Sequence, residues 1–261
     1  MIATIIALLF HAAQQPHISF PSGGTANEEI ALRWLHIVFG IIWIGLLYFF
    51  NLVGVPLLGA LDPAVRTKVY APLMSRAMSW FRWSALVTVL VGLRYFSIIL
   101  KQDAINAGRP ALLGIWFGEW FGIWMVAYAI IYALQMPWGG AIKQRALRGV
   151  LIAIVVIAAS YLVLVANAGA FSSNSHLSIS IGGGLGLVML MNAWGVVWRV
   201  QKKLIQWNRA AAENGTPMPP EADKLRQWSL FAARVAFWLS FPMLFFMGAA
   251  DHYPFLSSIT D

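Results

Sequence analysis

The chain reads as a succession of long apolar runs separated by short polar segments. Six runs reach the roughly 20 residues needed to cross a hydrocarbon core of about 30 Å. They fall at roughly 34–58, 80–100, 111–135, 149–170, 176–198 and 229–249. Turn-forming clusters stand between them: LDPAV at 61–65, AGRP at 107–110, MPWGG at 136–140 and NGTPMPPEAD at 214–223. The pattern predicts an all-α, polytopic membrane bundle of about six transmembrane helices, one domain over 31–261 behind an N-terminal segment, 1–30. Residues 1–13, MIATIIALLFHAA, are apolar but too short to span. They read as a signal-peptide h-region, although no basic residue precedes them, or as an interfacial helix; retention is the favoured reading.

Composition narrows the class. The chain is 60% hydrophobic and 11% charged, with a mean hydropathy of +0.71, whereas soluble domains carry about 25% charged residues. The 13 tryptophans fit a membrane protein, since Trp favours the membrane–water interfaces. Cysteine is absent, which excludes disulfides, thiolate metal sites, iron–sulfur clusters and covalent C-x-x-C-H haem attachment. The net charge of +8 is carried by the linkers and is no signal for nucleic acid.

Charge placement predicts orientation. Alternate linkers hold Arg66, Lys68, Arg76 and Arg82, then Lys143, Arg145 and Arg148, then Arg199, Lys202, Lys203, Arg209, Lys224 and Arg226. These are 13 of the 18 basic residues; the opposite side holds Arg33, Lys101 and Arg109. The positive-inside rule makes the basic side cytoplasmic, with both termini outside a bacterial-type inner membrane.

Two ionisable residues sit inside apolar runs: Arg94 in span two and Glu119 in span three. A charge at the bilayer centre costs at least about 2.5–3.5 kcal/mol on insertion scales, so such residues mark sites or pairs. By the predicted topology both lie in the outer half, as do His36, His176 and His252. These five are expected to line one outward-facing cavity. Neutral imidazoles bind haem iron, copper or zinc; an arginine holds haem propionates or an anionic substrate; a glutamate pairs with it or carries protons. Tyr48, Tyr95, Tyr161 and Tyr253 are candidate hydrogen-bonding groups.

A plainer alternative stands beside each assignment. Arg94 and Glu119 form a structural ion pair between helices. His36 bonds a backbone carbonyl near a helix end. His176, beside Ser-Ser-Asn-Ser, is a solvated loop residue; His11 and His17 are not ligands. Arg234 snorkels towards the nearer interface. Gly182-x-x-x-Gly186 is a close-packing motif, and Asn51, Asn167 and Asn192 are interhelical hydrogen-bond donors and acceptors.

Several stretches resemble a known family. RWLHIVFGIIWIGLLYFF at 33–50 resembles the first core span of the membrane domain of the PuuD urate hydroxylases, the urate oxidase N-terminal family. AAENGTPMPPEADKLRQWSLFAARVAFWLSFPMLFFMGAADHYPF at 211–255 resembles its last loop and span, and SWFRWSALVTVLVGL at 79–93 its Trp-Phe-Lys-Trp span. The matching positions are His36, Trp43, Gly45, Trp80, Phe81, Trp83, Asn192, His252, Tyr253 and Pro254. The departures are Ala77 and Ser79 where the family has histidines, Ser180 where it has another, and the sequence SLFAAR in place of a His-Asn-Asn cluster. The family's cytochrome c domain, with its C-x-x-C-H, has no counterpart here. The first-span motif is also similar, more distantly, to the CopD and HemJ membrane families, in which haem b or copper is implicated.

Three functions follow as expectations. The resemblance implies a membrane redox subunit holding haem b near the outer face through His36 and His252, or His176, with Arg94 and Glu119 beside it and Asn192, Tyr253 and Trp43 near substrate. It would pass electrons to a periplasmic cytochrome c. The CopD likeness implies a copper or small-solute permease using the same histidines with Met189 and Met191. The missing histidines imply a non-catalytic scaffold subunit of a larger membrane complex.

Overall fold

In the computed structural model, residue 4, residues 19–137 and residues 144–256 are described, and no strand occurs among them. Six helices account for the apolar runs: α1 Gly24–Ala60, α2 Pro63–Asn106, α3 Leu112–Gln135, α4 Arg145–Asn167, α5 Asn174–Asn214 and α6 Ala222–His252. Each is long and apolar enough to cross a membrane. The protein is an all-α polytopic bundle. His11, His17 and, Thr4 aside, the segment 1–13 lie outside the described residues, as do the last three residues of MPWGG. The chain divides into two compact units, Met1–Ala31 and Leu32–Asp261. In the first, Asn27 Nδ2 donates to the carbonyls of Pro21 at 2.6 Å and Gly23 at 3.1 Å. The second carries the rest of α1 and all of α2–α6.

Several helices run past their apolar segments. The pattern at 80–100 and 176–198 marks the hydrophobic centres, but α2 is 44 residues long and α5 is 41. At about 1.5 Å per residue both exceed the thickness of a hydrocarbon core about twofold. The extensions persist because each keeps an apolar stripe that the other covers. Met74 and Met78 of α2, Leu204 and Ile205 of α5 and Leu225 of α6 are buried there. Tyr70 donates to Gln201 Oε1 at 2.6 Å, and Gln201 Nε2 donates to Ser229 Oγ at 3.2 Å. Arg66, Lys68, Arg76, Arg199, Lys202 and Lys203 therefore stand on helices rather than in linkers. This is the basic end of the bundle; the opposite end carries His176. The true breaks are short. Pro63 opens α2 directly after the bend at 61–62, and Gly108 and Gly215 take φ of +66° and +67°, which suits glycine, where α2 and α5 stop.

α5 is the central helix. Its apolar window is 72% buried, against 17–33% for the other five. Small residues make that position possible. A Cβ on Gly182 would lie 3.3 Å from the Met243 carbonyl oxygen of α6. A Cβ on Gly184 would run into the indole of Trp124 in α3. The predicted Gly182/Gly186 pair is thus corrected: Gly182 and Gly184 are the contact glycines, facing different neighbours, whereas Gly186 has nothing within 4 Å. Near the basic end α5 widens into a π-helical turn at Ala193–Trp198, where the Tyr128 hydroxyl donates to the Met191 carbonyl at 3.1 Å.

Four tryptophans depart from expectation, while Trp34, Trp80, Trp83 and Trp238 are exposed. Trp43, Trp116, Trp120 and Trp124 are buried in the core rather than set in an interfacial belt. Trp120 and Trp124 both donate their indole N–H to the Ser180 carbonyl, at 2.8 and 3.0 Å. In an apolar surrounding an indole is held by the carbonyl it can reach.

Gly184→Ala forces a methyl into the plane of Trp124 and is expected to destabilise the protein by about 1–3 kcal/mol. Gly186→Ala, in open space, should leave the melting temperature in detergent unchanged. Equal melting temperatures for the two variants would contradict this packing.

Candidate functional site

The most buried polar cluster lies at the His176 end. His176 stands in the first turn of α5 and is fully buried; Asp103, near the end of α2, and Asn167, the last residue of α4, are buried with it. Ser173 caps α5, its Oγ accepting from the His176 N–H at 3.2 Å. One carboxylate oxygen, Asp103 Oδ2, gathers three donors: Ser173 N–H at 2.8 Å, Ser173 Oγ–H at 2.9 Å and His176 Nδ1 at 3.1 Å. His176 Nε2 lies 3.1 Å from Asn167 Oδ1. Both ring nitrogens of His176 are thus within hydrogen-bonding distance of a partner. Trp116 and Phe96 close over the ring, with centroids 4.9 and 6.1 Å away. The carboxylate also sits at the N-terminus of α5, where the helix dipole favours an anion.

This arrangement corrects the solvated-loop reading of His176. It also commits both imidazole nitrogens, so His176 offers none to a metal. Asp103 escapes a reading of the sequence because KQDAIN looks like a linker. The signal for it is the continuing helical spacing of Phe96, Leu100 and Asp103, all on one buried face.

His36 is placed differently. Its Nδ1 lies 2.9 Å from the Thr88 carbonyl of α2, in keeping with the plainer alternative. Its ring packs over Gly92, where a Cβ would approach the ring carbon to 2.9 Å. The Nε2 of His36 has no hydrogen-bond partner among the described residues. Thr88–Gly92 and Asp103 are separated along α2 by about 16–22 Å at 1.5 Å per residue, so His36 and His176 stand at different depths.

The other candidates stand on α1, α2, α3, α5 and α6. Arg94 is exposed and donates to Ser97 Oγ within α2 at 3.4 Å. Glu119 is exposed on α3, with no hydrogen bond or ion pair among the described residues, so the expected Arg94–Glu119 pair is not formed. Tyr95, beside Arg94, meets α1: Arg33 Nε donates to its hydroxyl at 2.8 Å, and Arg33 also pairs with Asp251 at 2.9 Å. His252 and Tyr253 are exposed at the end of α6. Trp43 is core. Asn192 is fully buried, with neither amide atom hydrogen-bonded among the described residues, and Asn51 bonds the Leu47 carbonyl of its own helix. Of the three asparagines, Asn167 links helices. Among the described residues no three His, Cys, Asp or Glu side chains converge on a metal position.

Removing one partner of a buried hydrogen-bonded pair is costly because the polar group left behind is unsatisfied. Asp103→Ala or His176→Ala is expected to lower stability by about 1–3 kcal/mol. The double variant should lose clearly less than the sum, since the two changes remove one shared interaction. His252→Ala should be neutral. Thermal melts of the four proteins check this, and additive losses at 103 and 176 would contradict the pairing.

No family model, no curated protein and no solved structure matches this chain.

Proposed function

We propose that the protein is a non-catalytic assembly subunit of a larger membrane complex, docked through the outer face of α3. The observation that carries this reading is Glu119, exposed and without a partner among the described residues. It lies about 10 Å into α3, counted from Leu112 at 1.5 Å per residue. A carboxylate facing lipid at that depth is expensive, whereas one facing a donor on another chain is not. Its surroundings favour a close helix. Gly114, Gly118 and Gly122 are exposed, with nothing within 4 Å of any Cβ position. Four-residue glycine spacing lets two transmembrane backbones approach. The opposite face holds Trp116, Trp120 and Trp124 at the same spacing, buried against the rest of the bundle. The docked helix would supply an Arg, Lys or protonated side chain to Glu119.

Gly118→Leu, which fills the face without entering the core, is expected to abolish co-purification of the partner from native membranes at unchanged melting temperature. Glu119→Gln should weaken it several-fold. A monodisperse protein with no bound subunit, and unaltered by either change, would end this reading.

A second reading rests on His36. A histidine whose Nδ1 is fixed by a backbone carbonyl presents Nε2 to a metal in the usual ligand posture. His36 would be the residue to hold the iron of a haem b, whereas His176, with both ring nitrogens engaged, would not. A haem so held would supply one-electron transfer towards an external cytochrome, in line with the urate hydroxylase resemblance. Protein expressed with ample haem should then show a b-type reduced-minus-oxidised spectrum that disappears in His36→Ala. A spectrum without a Soret band sinks this second reading and leaves the first untouched.

A further inference from the structure

A groove of about 600 Å³ opens between α4 and α6 at the basic end. Its walls are apolar: Ile152, Val235 and Leu239 are buried along it, and Gly149 leaves its α4 side open, with nothing within 4 Å of a Cβ. Its charged lining residues are Arg145 and Arg234, both exposed, and no Asp or Glu among the described residues lines it. Arg145, the first residue of α4, donates to Gln227 Oε1 of α6 at 2.7 Å, which fixes it at the mouth. Arg234 lies about 10 Å further along α6, at 1.5 Å per residue from Gln227. It has no hydrogen bond or ion pair among the described residues. Trp238, one turn beyond, is 68% exposed on the same groove.

A guanidinium at that depth on a lipid-facing surface needs an anion or must bend its stem to the interface. The groove supplies room for the anion and for what is attached to it. A phosphodiester accepts paired N–H bonds from guanidinium groups, and an apolar channel leading away from the cations suits an acyl chain. Two arginines with no carboxylate among the described lining residues favour a net-negative head group over a zwitterionic one, whose own cation would be repelled. Basic pockets between transmembrane helices are the general form of anionic-lipid sites.

We propose that the α4–α6 groove binds an anionic glycerophospholipid, with its phosphate on Arg145 and Arg234 and an acyl chain along Gly149, Ile152 and Leu239. The test is native mass spectrometry of the whole, delipidated chain in detergent. It is titrated with phosphatidylglycerol and with phosphatidylcholine of the same acyl chains. Phosphatidylglycerol should bind at least tenfold more tightly. The double variant Arg145→Gln/Arg234→Gln should bring it down to the phosphatidylcholine level, while Lys202→Gln, an exposed cation outside the groove, changes nothing. Gly149→Leu keeps both arginines and fills the acyl path, and should also lose binding. Equal affinity for the two lipids, or equal loss in Lys202→Gln, overturns the proposal. Full binding by Gly149→Leu overturns the groove as the seat of the acyl chain. Displacement by equimolar inorganic phosphate would overturn the lipid assignment and reduce the site to one for free anions.

Discussion

A polar group withdrawn from water inside a bundle of apolar helices must find its partner within the protein, and here that constraint converges on the first turn of α5. Asp103, Asn167, Ser173 and His176 come from two helix ends, a cap and a helix start, and they meet over distances of 2.8–3.2 Å. The same turn ties α6: Asn174 Nδ2 donates to the carbonyls of Ala249 and Ala250, at 3.1 and 2.8 Å, and its Oδ1 accepts from the Leu256 N–H at 3.2 Å. Chain carbonyls left open at the end of one helix are thus closed by the opening of another. Since lipid is as apolar as a leucine side chain, burial of carbon contributes little to holding helices together, and such bonds with close packing must do so.

Close packing is the other constraint. α5 is accepted at the centre because Gly182 and Gly184 admit Met243 and Trp124 to positions a side chain would occupy. α3 solves the opposite problem on its two faces. Its three tryptophans at four-residue spacing fill the space beside α5, while its three glycines at the same spacing are turned away from it. A helix that only faces lipid has no use for a bare backbone and a carboxylate on one stripe, and that is the ground for reading α3 as a docking helix.

The charged residues divide by what surrounds them. Arg33 is held by Tyr95 and Asp251, and Arg82 lies 3.8 Å over the ring of Trp198. The cation–π contact lets a guanidinium rest against an apolar surface without a counter-ion. Arg234 and Glu119 have no such neighbour among the described residues. Both are exposed, on different helices, and their proposed partners lie beyond the chain: a lipid phosphate for the one, another subunit for the other.

Hydropathy alone determined the all-α class and the number of helices, because a 20-residue apolar run has few other ways to satisfy its backbone in lipid. Residue type and position also singled out Arg94, Glu119, His36, His176 and His252, though not how each is placed. Helix length was not legible in it, since the extensions of α2 and α5 are polar on average and are kept helical by the stripe each buries on the other. Nor was the site: Asp103, 73 residues from His176, sits in a segment that reads as a linker, and nothing in the sequence joins the two. Which glycines meet a neighbour, which tryptophans turn inward and which partners the His36 and His176 rings reach depend on how each helix is rotated about its axis. That rotation is set by packing between helices, and a one-dimensional pattern of apolar positions does not contain it.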